Sequence, residues 1–256
     1  MRILAITNRK GGSGKTTTAV NLAAALAANK RKVLLLDLDP EGHATYALGK
    51  GPGPGHGLAA LFAGEAVKPD LIQPVSKGLD LIAATAALSN IDNLFSKYEQ
   101  RLAARGVLKD FTAGQRGYDY LIMDCPPAQT LLALNALAAA RELIIPTEAS
   151  PLALNGLAAA RNEIESAREG LNPQLQILGI LLCRVNTRTR LTGEARELIK
   201  RAFTGKVFKT EIHEGVKLAE AAGHGLSVLD YAPGSKGAED YLSLAKEVIK
   251  TERRGS

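Results

Sequence analysis

The stretch "ILAITNRKGGSGKTTTAVNLAAALA", residues 3–27, decides the fold. It opens as an apolar run, breaks into a glycine turn and resumes with helical period, which predicts a strand, a loop and a helix in immediate succession. Gly11, Gly12 and Gly14 permit positive φ and close backbone approach, so successive N–H groups can face phosphate oxygens. The helix predicted from Lys15 adds the positive end of its dipole. In such a loop, which also carries Ser13 and Thr17, Lys15 reaches the β and γ phosphates and the Thr16 hydroxyl sits on Mg²⁺. A structural turn explains two glycines, but not Gly-Lys-Thr between a strand and a helix.

Outward from that loop, short apolar runs recur at 33–39, 79–84, 120–124, 143–146 and 175–182. Runs this continuous suit parallel strands covered on both faces. Helical patterns lie between them, at Lys15–Asn29, Ile91–Arg105, Ala128–Ala140, Pro151–Arg168 and Thr192–Phe203. The alternation predicts a single doubly wound α/β domain over residues 1–256, a mostly parallel sheet with helices on both faces. No internal repeat is visible. The patch "GKGPGPGHG" (49–57) reads as a mobile connector or a ligand-gated loop. A last helix over Ala238–Lys250 puts Tyr241, Leu242, Ala245, Val248 and Ile249 on one face, a face suited to the core rather than a membrane because it lacks Trp and Phe.

A chain of 256 residues with 46% hydrophobic content can bury one sizeable core, roughly 70–75% of its unfolded surface. Lys and Arg total 32 against 26 Asp and Glu, a net charge of +6 that suits a polyanionic partner without requiring one. Cys125 and Cys183 both sit in apolar runs and form no Cys-x-x-Cys pair, which predicts buried thiols in a reducing cytoplasm. No apolar run reaches membrane-spanning length, and "MRILAITN" leads directly into the loop without a cleavable leader. The expectation is a soluble, cytoplasmic protein.

The common spacing G-x-x-x-x-G-K-[ST] fails here, because its first glycine position is Arg9 and the loop reads Lys-Gly-Gly-Ser-Gly-Lys-Thr over residues 10–16. This resembles the deviant Walker A loop of the ParA/MinD family of P-loop ATPases. The likeness continues in "LLLDLDPEGHAT" (34–45), similar to the family's Asp-x-Asp-Pro switch segment, in "YDYLIMDCPPAQTLLALNALAAA" (118–140), similar to its Walker B strand and following helix, and in "VKLAEAAGHG" (216–225), similar to a C-terminal stretch of ParA proteins. The resemblance implies a role for the second loop lysine: Lys10 reaches across an ATP-bound homodimer to the phosphates held by the other subunit.

Asp37 and Asp39, two residues apart in the predicted second strand, share a face, and Asp124 ends another strand. Any one of these acids is open to reading as a turn or helix cap. Three of them at the carboxyl ends of strands beside a phosphate loop favour a ligand site. The resemblance implies that Asp39 orients the attacking water, Asp37 lies near the metal's water shell and Asp124 holds Mg²⁺ through water. No arginine finger is evident, so hydrolysis is expected to be slow and stimulated. The family's Gln-Gly-Asn after Asp-Pro is Glu41-Gly42-His43 here.

"ILLCRVNTRTRL" (180–191) leaves a strand where this fold class reads adenine, making Arg184 and Asn186 candidates for the nucleobase. Arg188, Arg190, Arg196, Lys200, Arg201, Lys206, Lys209 and Lys217 cluster within thirty residues, either as solvated charge or as a stripe for DNA phosphates. Arg188 and Lys217 match positions where ParA relatives hold DNA nonspecifically, whereas His213-Glu214-Gly215 replaces the family's Pro-Arg-Asn. The resemblance therefore implies a partition ATPase: ATP-driven dimers on double-stranded DNA of the nucleoid, reset by a ParB-like centromere-binding protein. No helix-turn-helix precedes Met1, so promoter reading is not expected. A MinD-like ATPase would use a membrane-binding tail, for which "YLSLAKEVIKTERR" is a poor candidate, so stable membrane association is not expected. A nucleoid-based positioner of protein cargo would share the chemistry and differ in partner. A reductase related to the nitrogenase iron protein would need suitably placed cluster cysteines.

Overall fold

Strand β1 (Arg2–Ile6) lies between β5 (Tyr120–Asp124) and β6 (Glu142–Glu148), in the interior of a seven-stranded sheet. The computed structural model describes residues 1–53, 55–65, 69–95, 97, 104–127, 130–150, 153–186 and 190–252. With β2 (Val33–Asp37), β3 (Ile72–Ser76), β4 (Leu79–Ile82) and β7 (Gln176–Cys183), the strand order is β3-β4-β2-β5-β1-β6-β7. All neighbours pair in parallel except β3 with β4.

Side-chain alternation builds a core on each face. Leu34, Leu36, Leu121, Met123, Ile180 and Leu182 point to one side, where helices Leu131–Ala139 and Ala153–Gly170 cover them. Leu4, Ile6, Leu35, Ile122, Ile144 and Leu181 point to the other, against helices Lys15–Ala28 and Lys236–Lys250. Continuous apolar runs were needed because both faces are buried. The C-terminal helix docks on the core as expected, with Tyr241, Ala245 and Val248 fully buried, joined by Leu244.

Several boundaries differ from the sequence reading. The second strand stops at Asp37 instead of reaching 39, because the Asp39 N–H turns back to Asp37 Oδ1 (3.2 Å) and the Asp39 carbonyl accepts Gly42 N–H (2.8 Å). Asp37 and Asp39 are thus neighbours through a turn, not through strand alternation. The helix expected over 91–105 is described only as Ile91–Leu94, with a further helix at Val107–Gly114; part of the span lies outside the described residues. Helix His43–Ala47 and edge strand β3, which carries Pro74, are additions. No helix of the described residues is long and apolar enough to cross a membrane.

Candidate nucleotide site

The parallel register sets Ile6, Asp37 and Asp124 side by side at the carboxyl end of the sheet. This is where β1 neighbours strands that cross over in opposite directions, the position at which open α/β sheets gather ligands. The loop leaves β1 through Asn8, whose Nδ2 donates to the Pro146 carbonyl (2.7 Å) and whose Oδ1 accepts the Lys10 N–H (3.1 Å). Gly14 caps helix Lys15–Ala28 at φ 94°, a left-handed backbone that favours glycine. A Cβ there would also stand 3.4 Å from Cys183 Sγ.

Lys15 is buried and donates from Nζ to the Lys10 carbonyl at 3.3 Å. Burial lowers its pKa, opposed chiefly by the carboxylates of Asp124 and Asp39. The Ser13 hydroxyl is buried without a partner among the described residues, while Thr16 and Thr17 are half-buried at the helix start. Gly11, Gly12, Gly14, Lys15, Thr16 and Thr17 line one continuous cavity of about 710 Å³.

Asp124 is fully buried, and among the described residues neither carboxylate oxygen has a hydrogen-bond partner. Burial raises its pKa well above the usual carboxylate range; Asp37 and Asp39 push the same way, and the Thr16 hydroxyl and Lys15 ammonium oppose them. An orphaned buried carboxylate beside a threonine hydroxyl fits a hard cation such as Mg²⁺, which prefers few protein oxygens and several waters. Asp37 differs: Oδ2 accepts both the N–H (2.8 Å) and the hydroxyl (2.7 Å) of Thr45, while Oδ1 accepts the Asp39 N–H. Its pKa is raised by burial against those bonds. Asp37 therefore ties the β2 end to helix His43–Ala47. Asp39 lines the cavity with Oδ1 on the Glu41 N–H (3.1 Å).

The second loop lysine is held within its own chain. Lys10 Nζ pairs with Glu148 Oε2 at 3.0 Å, at the end of β6, and both side chains are substantially exposed. Sequence reasoning missed Glu148, Thr45 and Asn8, since each acts through a contact with a distant segment or an ordinary-looking turn. Arg184, in a left-handed conformation with φ 52°, and His213 line the cavity beside the end of β7. Arg184 and Asn186 both turn to Glu214, at 3.8 and 3.5 Å.

The basic residues are less uniform than the sequence suggested. Arg196 (2.9 Å) and Lys200 (3.1 Å) share Glu211, and Lys217 pairs with Glu220 (2.7 Å) while lying over the Tyr231 ring. Arg201, Lys206 and Lys209 are exposed. Arg188 and the side chain of Arg190 lie outside the described residues.

Comparison with known proteins agrees with this geometry. The AAA domain family matches residues 1–177. The sporulation initiation inhibitor protein Soj of Bacillus subtilis is 40% identical over 96% of this chain and 98% of its own length. The chromosome-partitioning ATPase Soj of Thermus thermophilus is 41% identical over 97% of this chain and 96% of its own. Among solved structures, cobyrinic acid a,c-diamide synthase of Mycobacterium smegmatis with bound ATP analog and magnesium superposes with a TM-score of 0.85 at 28% identity, covering 100% of this chain and 97% of that one. With a deviant phosphate loop at the sheet's switch point and full-length likeness to Soj, the chain belongs to the ParA/Soj-type partition ATPases.

Proposed function

We propose that this chain is a Mg²⁺·ATP switch whose ATP-bound form pairs with a second copy and binds DNA without reading sequence. The observation that carries the reading is the orphaned carboxylate of Asp124, buried abreast of Asp37 and next to Lys15 and Thr16. Thr16 and Asp124 would hold Mg²⁺, which supplies charge neutralisation on the phosphates. Lys15 leaves the Lys10 carbonyl for the β and γ phosphates, and the backbone N–H groups of Gly11–Gly14 face the same oxygens. Asp39 orients the attacking water and Asp37 holds the switch segment through Thr45.

Among the described residues lining the cavity, the arginine is Arg184, which stands at the β7 end, away from Asp39. Charge stabilisation at the terminal phosphate therefore falls to Lys15 and to a Lys10 delivered by the partner copy, which favours slow turnover stimulated by a ParB-like protein. A phosphate competes readily with an exposed carboxylate for Lys10, because the pair with Glu148 is solvent-screened. Full-length likeness to chromosome-partitioning relatives supports the cellular role, acting at the nucleoid.

The DNA reading is tested by binding to unrelated double-stranded DNA with ATP, ADP or no nucleotide across a salt series. Binding that requires ATP and falls steeply with salt supports it. Binding that ignores nucleotide, or is absent, reduces the stripe to solvated charge.

A further inference from the structure

His213 stands where the family pattern has proline, and its surroundings are built rather than incidental. The segment leading to it runs beside β7, held by Ile212 N–H to the Leu182 carbonyl (2.8 Å) and Val185 N–H to the Ile212 carbonyl (3.0 Å). This brings His213 to the β7 end of the nucleotide cavity, opposite the end lined by Asp39 and Pro127. Behind the ring lies Asp240, on helix Lys236–Lys250, with its side chain only 4% exposed. Its Oδ2 meets the His213 backbone N–H at 2.9 Å and ring Nδ1 at 2.8 Å, while Lys236 Nζ holds Oδ1 at 2.7 Å.

A carboxylate can only accept, so Nδ1 carries the proton shared with Asp240. In the neutral ring this leaves Nε2 as an acceptor, on the edge turned away from the buried acid. Among the described residues at this end, Arg184 and Asn186 are directed to Glu214. The β7 end of the cavity adjoins the phosphate loop, since Cys183 Sγ stands 3.4 Å from a Cβ built on Gly14, and the acids lie on the other side towards β2 and β5; a nucleotide with its phosphates on Gly11–Thr17 that extends away from those acids would bring its base to His213.

We propose that His213 is a specificity-determining residue for the base: its Nε2, fixed as an acceptor by Asp240, takes a hydrogen bond from the exocyclic 6-amino group of adenine. A 6-oxo purine presents an acceptor at that point and meets a lone pair with a lone pair. The inference rests on the nucleotide-site reading above and adds to it a side chain that selects adenosine.

The test is competition by ATP, inosine triphosphate and purine riboside triphosphate, which lacks the 6-amino group, against a fluorescent ATP analogue. It is run with Mg²⁺ at pH 8, where imidazoles are ordinarily neutral. Wild type should prefer ATP over purine riboside triphosphate about threefold to tenfold, the worth of one neutral hydrogen bond. In His213→Ala the ratio should fall to about one, whatever happens to overall affinity, because a general loss of packing affects both nucleotides alike. Asp240→Asn, which permits the other tautomer, should lower the ratio while leaving the imidazole in place. A wild-type ratio retained in both variants overturns the proposal while the nucleotide site stands. Failure of wild type to bind any of the three nucleotides overturns the site reading and the proposal together.

Discussion

Replacing Asp124 by Asn should make the nucleotide-free protein more stable and remove its response to Mg²⁺·ATP. In the described structure both carboxylate oxygens are buried without partners; the Asn amide keeps the cost of an unsatisfied neutral group and removes the extra cost of a buried charge, on the order of 1–3 kcal/mol. Unfolding entropy for 256 residues is about 0.5 kcal/mol/K near the midpoint, so removing a penalty of that size raises Tm by about 2–6 °C. The effect has a defined pH dependence. The folded pKa of Asp124 is raised, so the penalty is absent below the unfolded value of about 3.9 and grows as pH climbs towards the folded value. The advantage of Asp124→Asn in EDTA should therefore widen from pH 5 to pH 8. Thermal melts of both proteins, in EDTA and with Mg²⁺·ATP, measure every part of this. A variant that melts at or below wild type in EDTA at pH 8, yet still gains stability from Mg²⁺·ATP as wild type does, would show that this carboxylate is neither strained nor a metal holder.

Three further substitutions probe neighbouring claims. Glu148→Gln releases Lys10; with two such pairs per dimer at about 0.5 kcal/mol each, the ATP-dependent dimer should tighten about fivefold in sedimentation, and an unchanged constant would mean the pair does not oppose dimerisation. Thr45→Val removes the hydroxyl that donates to Asp37 and accepts the Ala84 N–H, which should cost about 2–3 kcal/mol and lower Tm by about 4–6 °C; a smaller loss would argue against Asp37 as the anchor of helix His43–Ala47. Glu211→Gln frees Arg196 and Lys200 for DNA phosphates and should steepen the slope of log affinity against log salt by about one to two; an unaltered slope would remove those two residues from the DNA surface.

Much of the fold was legible because burial on both sides of the sheet demands continuous apolar strands, and β1, β2, β4, β5, β6 and β7 all show them. Strand β3 escaped notice because an antiparallel edge strand is half-exposed, and Pro74 argues against a central position. The phosphate loop was readable since its chemistry is local: glycines, Lys15 and Thr16 within a few residues. What stayed hidden depends on register and long-range contact. Asp37 and Asp124 become neighbours only through parallel pairing, Lys10 finds Glu148 across 138 positions, and Asp240 reaches His213 from another helix. Charge patterning overstated the basic stripe, because the acids that pair with it, Glu211 and Glu220, are ordinary surface residues in a linear reading.

If ATP brings two copies together through the loop lysine, particle mass by light scattering will register it. Wild type and Lys10→Ala would be compared with Mg²⁺·ATP, with Mg²⁺·ADP and without nucleotide, alongside nucleotide binding measured on the same samples. Mass should double only for wild type with ATP, and Lys10→Ala should still bind nucleotide but stay single. A Lys10→Ala protein that doubles as wild type does, or a wild-type mass indifferent to ATP despite full binding, would contradict pairing through the loop lysine.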